Sequence, residues 1–149
     1  MKNGHWIFDY QMGTPKYHGF LYLMVNKMTD RKYWGRKQFR KGGKKTSKTY
    51  GHQDAWRNYK SSSKIILEEI KENGIDSFEF YCIAEYENKL DLHYAEVKAI
   101  MASDAIIRKD YYNFHSAEIY VPPPCLPFRK RKKSINALLK RNKTDGKAV

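Results

Sequence analysis

Hydrophobic and polar residues are spaced along this chain in a way that predicts three strands and two helices. In residues 19–26, GFLYLMVN, the set Phe20, Tyr22 and Met24 alternates with Leu21, Leu23 and Val25. Both sets are apolar, the pattern of a strand covered on both faces. The polar stretch KMTDR follows, then KYWG, a short aromatic run ending at Gly35, and together they predict an antiparallel hairpin. A helix is signalled over about residues 62–73. Ser62 or Ser63 can cap it, Ile66, Leu67 and Ile70 form its buried stripe, and Asn73-Gly74 supply a left-handed stop. Residues 78–84, FEFYCIA, alternate as a third strand. From Asn88, KLDLHYAEVKAIMAS sets Leu90, Tyr94, Val97 and Met101 at helical spacing, which predicts a second helix of about 14 residues.

The remaining segments lack a sustained period. Residues 1–17 carry Gly4, Gly13 and Pro15 and read as a loosely docked N-terminal arm. Residues 36–54 mix basic side chains with Gly42, Gly43 and Gly51, a mobile basic loop or an interrupted helix. DYYNF, at 110–114, reads as a short strand or turn closing the ordered part. Residues 116–149 form a proline-containing linker and a basic tail, with at most one short helix around 134–141. A chain of 149 residues supports one core plus tails. The expected fold class is therefore α+β: a small domain over 18–115, with a three-stranded antiparallel sheet flanked by helices and followed by a basic C-terminal tail.

Charge sharpens this picture. The chain has 29 Lys and Arg against 16 Asp and Glu, a formal net charge of +13, yet 15% of its residues are aromatic, too many core-formers for a disordered chain. The excess is segregated. Residues 31–48 hold nine Lys/Arg and no carboxylate, residues 129–147 hold nine opposed only by Asp145, and nine carboxylates lie between Glu68 and Glu96. Basic stripes of this kind fit a polyanion, because each phosphate neutralised releases condensed counterions, so nucleic acid is the expected partner. A merely solvated surface is the bland alternative, stronger for the tail than for 31–48. No apolar run approaches the roughly 18 residues of a membrane span, and MKNGHWIFDYQ lacks a signal-peptide core, so a soluble cytoplasmic protein is expected. Cys82 and Cys125 are the only cysteines, which disfavours a disulfide scaffold or a cysteine zinc site.

Few residues stand out as chemistry. Glu96 has Leu92 and Ile100 four positions to either side, so its carboxylate interrupts an apolar row. Such a charge is tolerable opposite a cation, as at a metal site or beside an Arg, or at an edge where it reaches water or Lys98. Tyr22 and Tyr33 lie on adjacent predicted strands, and phenols there are usually strand-formers with one polar end. Gly19 and Gly35 beside them leave positions without Cβ, where a phosphate or backbone could approach closely.

The words Gly19-Phe20-Leu21-Tyr22 and Tyr33-Trp34-Gly35 resemble the two motifs of the GIY-YIG nucleases. The order that follows also fits: Ser61-Ser62-Ser63 before an amphipathic helix, Asn73-Gly74, a Phe-rich strand, a helix with an inward Glu, and a closing Tyr-Tyr-Asn. The likeness runs over residues 18–114 and is greatest to small phage-encoded members, among them free-standing homing endonucleases. It implies a metal-dependent DNA endonuclease leaving 5′-phosphate and 3′-hydroxyl ends, of homing or DNA-degrading type, acting in the host cell cytoplasm if phage-encoded. It also implies that Tyr22 and Tyr33 activate water and orient the phosphate, that Glu96 ligates Mg²⁺ or Mn²⁺, and that Asn113 closes the site. For the family's arginine the candidates are Arg36, Lys37 and Arg40, with Arg57 a further one. Ser61 stands where some members have His, and His18, His52, His93 and His115 carry no assignment. Contacts to DNA are expected from Arg36, Lys37, Arg40, Lys41, Lys44, Lys45, Arg57 and Lys60, and in the tail from Arg129, Lys130, Arg131, Lys132 and Lys133. Site choice is expected to rest on the 36–60 loop, the tail or a second subunit in a homodimer. The competing reading is a non-catalytic nucleic-acid-binding protein, which would have no use for an inward carboxylate that repels DNA.

Overall fold

A computed structural model of the chain describes residues 2–40, 55–114 and 128–130. Its centre is the expected antiparallel sheet, formed by β2 (Gly19–Asn26), β3 (Lys32–Gln38) and β4 (Phe78–Tyr86), with β2 in the middle. Two short strands extend the sheet along the far edge of β4: β1 (Trp6–Ile7) runs parallel to it, and β5 (Phe128–Lys130) runs antiparallel. β3 reaches three residues past Gly35, so the start of the basic segment read as loop or helix is strand. Residues 41–54 lie outside the described residues.

The two apolar sets of β2 face two different cores. Phe20, Tyr22 and Met24 pack with Trp6, Met12, Trp56, Phe80 and Cys82 against α1 (Lys64–Asn73). Leu21 and Leu23 pack with Trp34, Ile83 and Ala84 under α2 (Lys89–Ala102). A register shift opposite Leu21 and Tyr22 puts one extra residue into β4, so that Ile83 and Ala84 both join the α2 side. The helix ends follow local chemistry. Ser63 accepts a hydrogen bond from the Ile66 amide and Gly74 stops α1 at φ 86°, while Asn88 caps α2 through the Asp91 amide.

Three expectations need correction. The arm over 1–17 is not loosely docked: Trp6 and Met12 are buried, and the Trp6 indole donates to the Trp56 carbonyl at 2.9 Å. In α1, Leu67 is exposed and only Ile66 and Ile70 are buried. In α2 the face turned to the sheet carries Leu92, Ala95 and Ile100, whereas Met101 of the expected stripe is 59% exposed. Among the described residues, no helix is long and apolar enough to cross a membrane.

Among the described residues β3 is the outer strand, and its edge is partly covered. The Lys32 amide donates to Asp110, and the Tyr112 amide donates to the Lys32 carbonyl, so DYYNF runs beside the strand as a parallel bridge. Asn113 completes this cover, because its side chain accepts from the Trp34 amide at 3.0 Å and donates to the Trp34 carbonyl at 2.9 Å. The next residues along the strand border a cavity.

Candidate active site

Both faces of β3 meet at this cavity of about 510 Å³, where the strand edge passes Gly35. Tyr33, Arg36, Lys37, Glu96 and Asn113 line it together with His18, Gln38, Tyr59, Ser62 and Lys89. Tyr33 arrives from the α1 side, its hydroxyl 3.2 Å from Ser62 Oγ, and Ser62 is held by the Ser61–Ser63 turn that caps α1. Arg36 arrives from the α2 side and its Nε donates to Glu96 Oε2 at 2.6 Å. The row Leu92, Glu96, Ile100 faces the sheet, and the carboxylate lies where the strand presents a guanidinium. A buried-side charge is thereby partnered, as its place in the sequence required.

Tyr22 lies just beneath. It is fully buried, and a Cβ placed on Gly35 would come within 2.3 Å of its Cζ and hydroxyl oxygen. The glycine therefore makes room for a tyrosine of the neighbouring strand, not for a phosphate. At Gly19 it is backbone that approaches closely, as expected: a Cβ would lie 2.4 Å from the Lys37 carbonyl oxygen and 2.8 Å from Leu92 Cδ2. Tyr22 also hydrogen-bonds Tyr59, whose ring carries the Lys37 ammonium 4.8 Å from its centroid. Burial, then the neighbouring phenols Tyr59 and Tyr33, pushes the Tyr22 hydroxyl well above its ordinary range. Burial also raises Tyr33. Both are neutral phenols near pH 7 and can donate hydrogen bonds.

The lining is strongly biased in charge. Among the described residues, Glu96 is its one carboxylate, against Arg36, Lys37 and Lys89. A phosphodiester fits this field, and in a partly enclosed site the cations act more strongly than in open water. Among the described residues no group of three or more His, Cys, Asp and Glu could cage a metal ion. One carboxylate is the donor set of a hard cation that keeps most of its waters and takes phosphate oxygens as further ligands, which is how Mg²⁺ binds. The residues present fit such an ion and do not fit a zinc cage.

The other expected basic residues lie elsewhere. Arg40 is exposed just past β3 and outside the lining, and Lys60 is exposed beyond the short helical turn at Ala55–Asn58. Arg57 stacks on Trp56 and donates to the Lys2 carbonyl at 2.8 Å, a structural engagement. Arg129 belongs to the opposite edge of the sheet, where it pairs with the buried Glu85 and is not a DNA contact at the cavity. Lys130 is described only as backbone in β5, and Lys41, Lys44, Lys45, Arg131, Lys132 and Lys133 lie outside the described residues. Sequence reasoning left His18 without an assignment, read Ser62 only as a helix cap and part of the serine run, and did not single out Tyr59 or Lys89. The first could have been noticed from its place directly before Gly19, and Lys89 from its place directly after the cap Asn88.

Comparison with known proteins completes the assignment. Residues 6–115 match the family model described as "Putative endonuclease segE, GIY-YIG domain". No curated protein and no solved structure matches the chain significantly. The matched segment starts at Trp6, the first side chain of the core, and ends just past Asn113, which pins the outer strand. With the two motifs meeting at Gly35 and the match covering most of its length, the chain belongs to the GIY-YIG endonuclease family.

Proposed function

We propose that this chain cuts DNA by metal-assisted phosphodiester hydrolysis in the cavity beside β3. The observation that carries this reading is the convergence of Tyr33, Arg36 and Glu96, from two elements and both faces of the sheet, on one basic cavity. Glu96 would hold a Mg²⁺ or Mn²⁺ ion. Such an ion polarises a phosphoryl oxygen and makes bound water more acidic. Arg36, Lys37 and Lys89 bind the phosphate and offset the charge that builds at phosphorus. Tyr33 and Tyr22 hold the reacting groups by hydrogen bonds, directly and through Tyr59. A second cavity of about 290 Å³ shares Tyr33, Ser62 and Asn113 and continues toward Phe114, which gives a bound strand a path beyond the scissile phosphate. The setting belongs to the same proposal: a phage-type homing or DNA-degrading nuclease in a host cytoplasm, of which the family match supports the nuclease part.

The test is incubation of the full chain with supercoiled plasmid. Nicking in Mg²⁺ that stops with EDTA is the expected result. Tight binding with no nicking across several DNA substrates would instead favour the binding-module reading.

The tail supplies non-specific affinity in this account. Because Arg129 belongs to the fold, the informative deletion removes residues 131–149 and keeps β5. Every phosphate that the shortened chain no longer neutralises should reduce the slope of log affinity against log salt by about 0.9. The single-turnover rate at saturating DNA should stay within about twofold. Gel-shift titrations at several salt concentrations read the first, and rapid-quench cleavage reads the second.

A further inference from the structure

Resting on the nuclease reading above, we propose that Ile107 and Phe114 form an apolar wedge that enters the DNA duplex beside the cut and parts neighbouring base pairs. The observation behind it is a third cavity, of about 390 Å³, lined by Ile106, Ile107 and Phe114 together with Arg31, Arg108 and Lys109. Asn113 borders this cavity and both of those already described, and Phe114 borders two of the three. A strand whose phosphate lies beside Glu96 therefore continues onto this surface.

Single exposed apolar side chains are ordinary on a protein surface, but here they gather. Of the seven large hydrophobic residues exposed among those described, Met101, Ile106, Ile107 and Phe114 fall between the last turn of α2 and the end of the DYYNF segment, and three of these four line one cavity. Ile107 is 82% exposed and Phe114 68%. The turn that carries Ile107 is well anchored. Ser103 accepts from the Trp34 indole at 3.1 Å and donates to the Ala99 carbonyl at 2.7 Å, while Ala105 is fully buried with its amide bonded to the Ile100 carbonyl. The chain turns at Asp104 with φ 54°, and the Ile107 and Arg108 amides both donate to the Asp104 carbonyl at 3.1 Å. Ile106 and Ile107 are thus held outward before any partner arrives, which spares the cost of ordering them on binding.

Charge identifies the occupant. The cavity lining holds three cations and, among the described residues, no carboxylate; Asp104 and Asp110 of the same segment lie outside it, and Asp110 accepts from Arg108 at 2.8 Å. Arg31 keeps its guanidinium over the Tyr112 ring, 4.0 Å from the centroid. Apolar side chains flanked by cations match a duplex, whose phosphates take the Arg and Lys side chains while unstacked base faces cover the Ile and Phe. A second copy of this chain, seated on the same patch, would set these cations against one another. The wedge also gives a basis for site choice. Pyrimidine–purine steps part most easily, so cuts should fall at a constant distance from a TA, CA or TG step with no contact to base edges.

The test uses the full chain in EDTA with relaxed closed-circular plasmid and a topoisomerase that needs no metal. Insertion unwinds the duplex, so once protein is removed the wild type should leave the circles negatively supercoiled. A variant carrying Ile107→Ser and Phe114→Ser, compared at equal occupancy, should leave them relaxed and should bind DNA about tenfold more weakly. Both side chains are exposed, so it should melt with the wild type, and Ile107→Ser alone serves if it does not. In Mg²⁺ the wild-type cuts should keep one offset from pyrimidine–purine steps, and the variant should lose it. A wild type that binds and leaves the linking number unchanged would overturn the proposal, as would a folded variant that unwinds as well as the wild type. A wild-type dimer that the substitutions convert to monomer, with no unwinding of DNA, would assign the patch to a second copy and overturn it too. A wild type that unwinds circles in EDTA but cuts no DNA in Mg²⁺ would support the wedge and end the nuclease reading instead.

Discussion

Glu96→Gln is expected to slow single-turnover plasmid cleavage by about a thousandfold, equivalent to about 4 kcal/mol of transition-state stabilisation. Glutamine keeps the shape of the side chain and its ability to accept from Arg36, but it removes the one negative charge that the described residues place in the cavity lining. On the proposed reading a bound ion would lose its protein ligand, and the charge developing at phosphorus would lose the ion's support. DNA affinity should hold or rise, because a carboxylate that repels phosphate is gone. This combination separates a catalytic role from a structural one. A misfolded variant would lose binding and melt early, whereas the expected variant binds, melts near the wild type and does not cut. Quantified nicking under enzyme excess, with a melting curve on the same sample and a gel-shift titration, reads all three.

The second large effect is on stability and lies at the opposite edge of the sheet. Glu85 is fully buried on β4, and Arg129 reaches it from β5 while also donating to the Gln11 carbonyl at 2.9 Å. The guanidinium is surrounded by the rings of Phe8, Tyr10 and Tyr17, with centroids 5.4, 4.7 and 4.9 Å away. Arg129→Met keeps much of this packing but leaves a buried carboxylate without its cation, a loss of about 3 kcal/mol or more. For a chain of this size that lowers Tm by roughly 6 to 12 °C. The effect should depend on pH. Burial already raises the Glu85 carboxyl above its ordinary 4.5 despite Arg129, and removing the cation raises it further. A carboxyl raised in the folded state binds its proton more tightly there than in the unfolded chain. Stability is then greatest at low pH and falls as pH rises from 4.5 through the folded-state value. The deficit of Arg129→Met should therefore be largest near neutral pH and shrink toward about pH 4, and adding Glu85→Gln should recover much of it. Denaturant titrations at several pH values check this, and a deficit independent of pH would contradict it.

These two sites show what was legible in the sequence and what was not. β2, the hairpin and α1 follow from local signals: two apolar sets on one strand, a Ser at the helix start and Gly74 at its end. The buried face of α2 was harder, because Leu90, Tyr94, Val97 and Met101 form an equally regular row. The helix instead turns Leu92 and Ile100 to the sheet and buries Asp91 and His93 beside them. Which row wins is decided by what the strand beneath presents, and at Glu96 that is Arg36. Trp6, Met12 and Arg129 were illegible for another reason. Each is a single side chain from an aperiodic segment, and its place depends on partners far along the chain, Trp56 for Trp6 and Glu85 for Arg129. Gly35 was misread because the space it leaves is filled by Tyr22 itself, whereas Gly19 admits a close backbone approach, that of Lys37, as expected.

The central claim is that Tyr33, from one face of the sheet, and Glu96, from the other, serve a single reacting phosphate. It is tested most directly by a double-mutant cycle on the single-turnover cleavage rate, using Tyr33→Phe, Glu96→Gln and the pair. Groups that act as one unit lose nearly everything when either is removed, so the double variant should be no slower than the worse of the two single ones. Losses that simply multiply would show that the two residues work independently, and the shared site would be wrong.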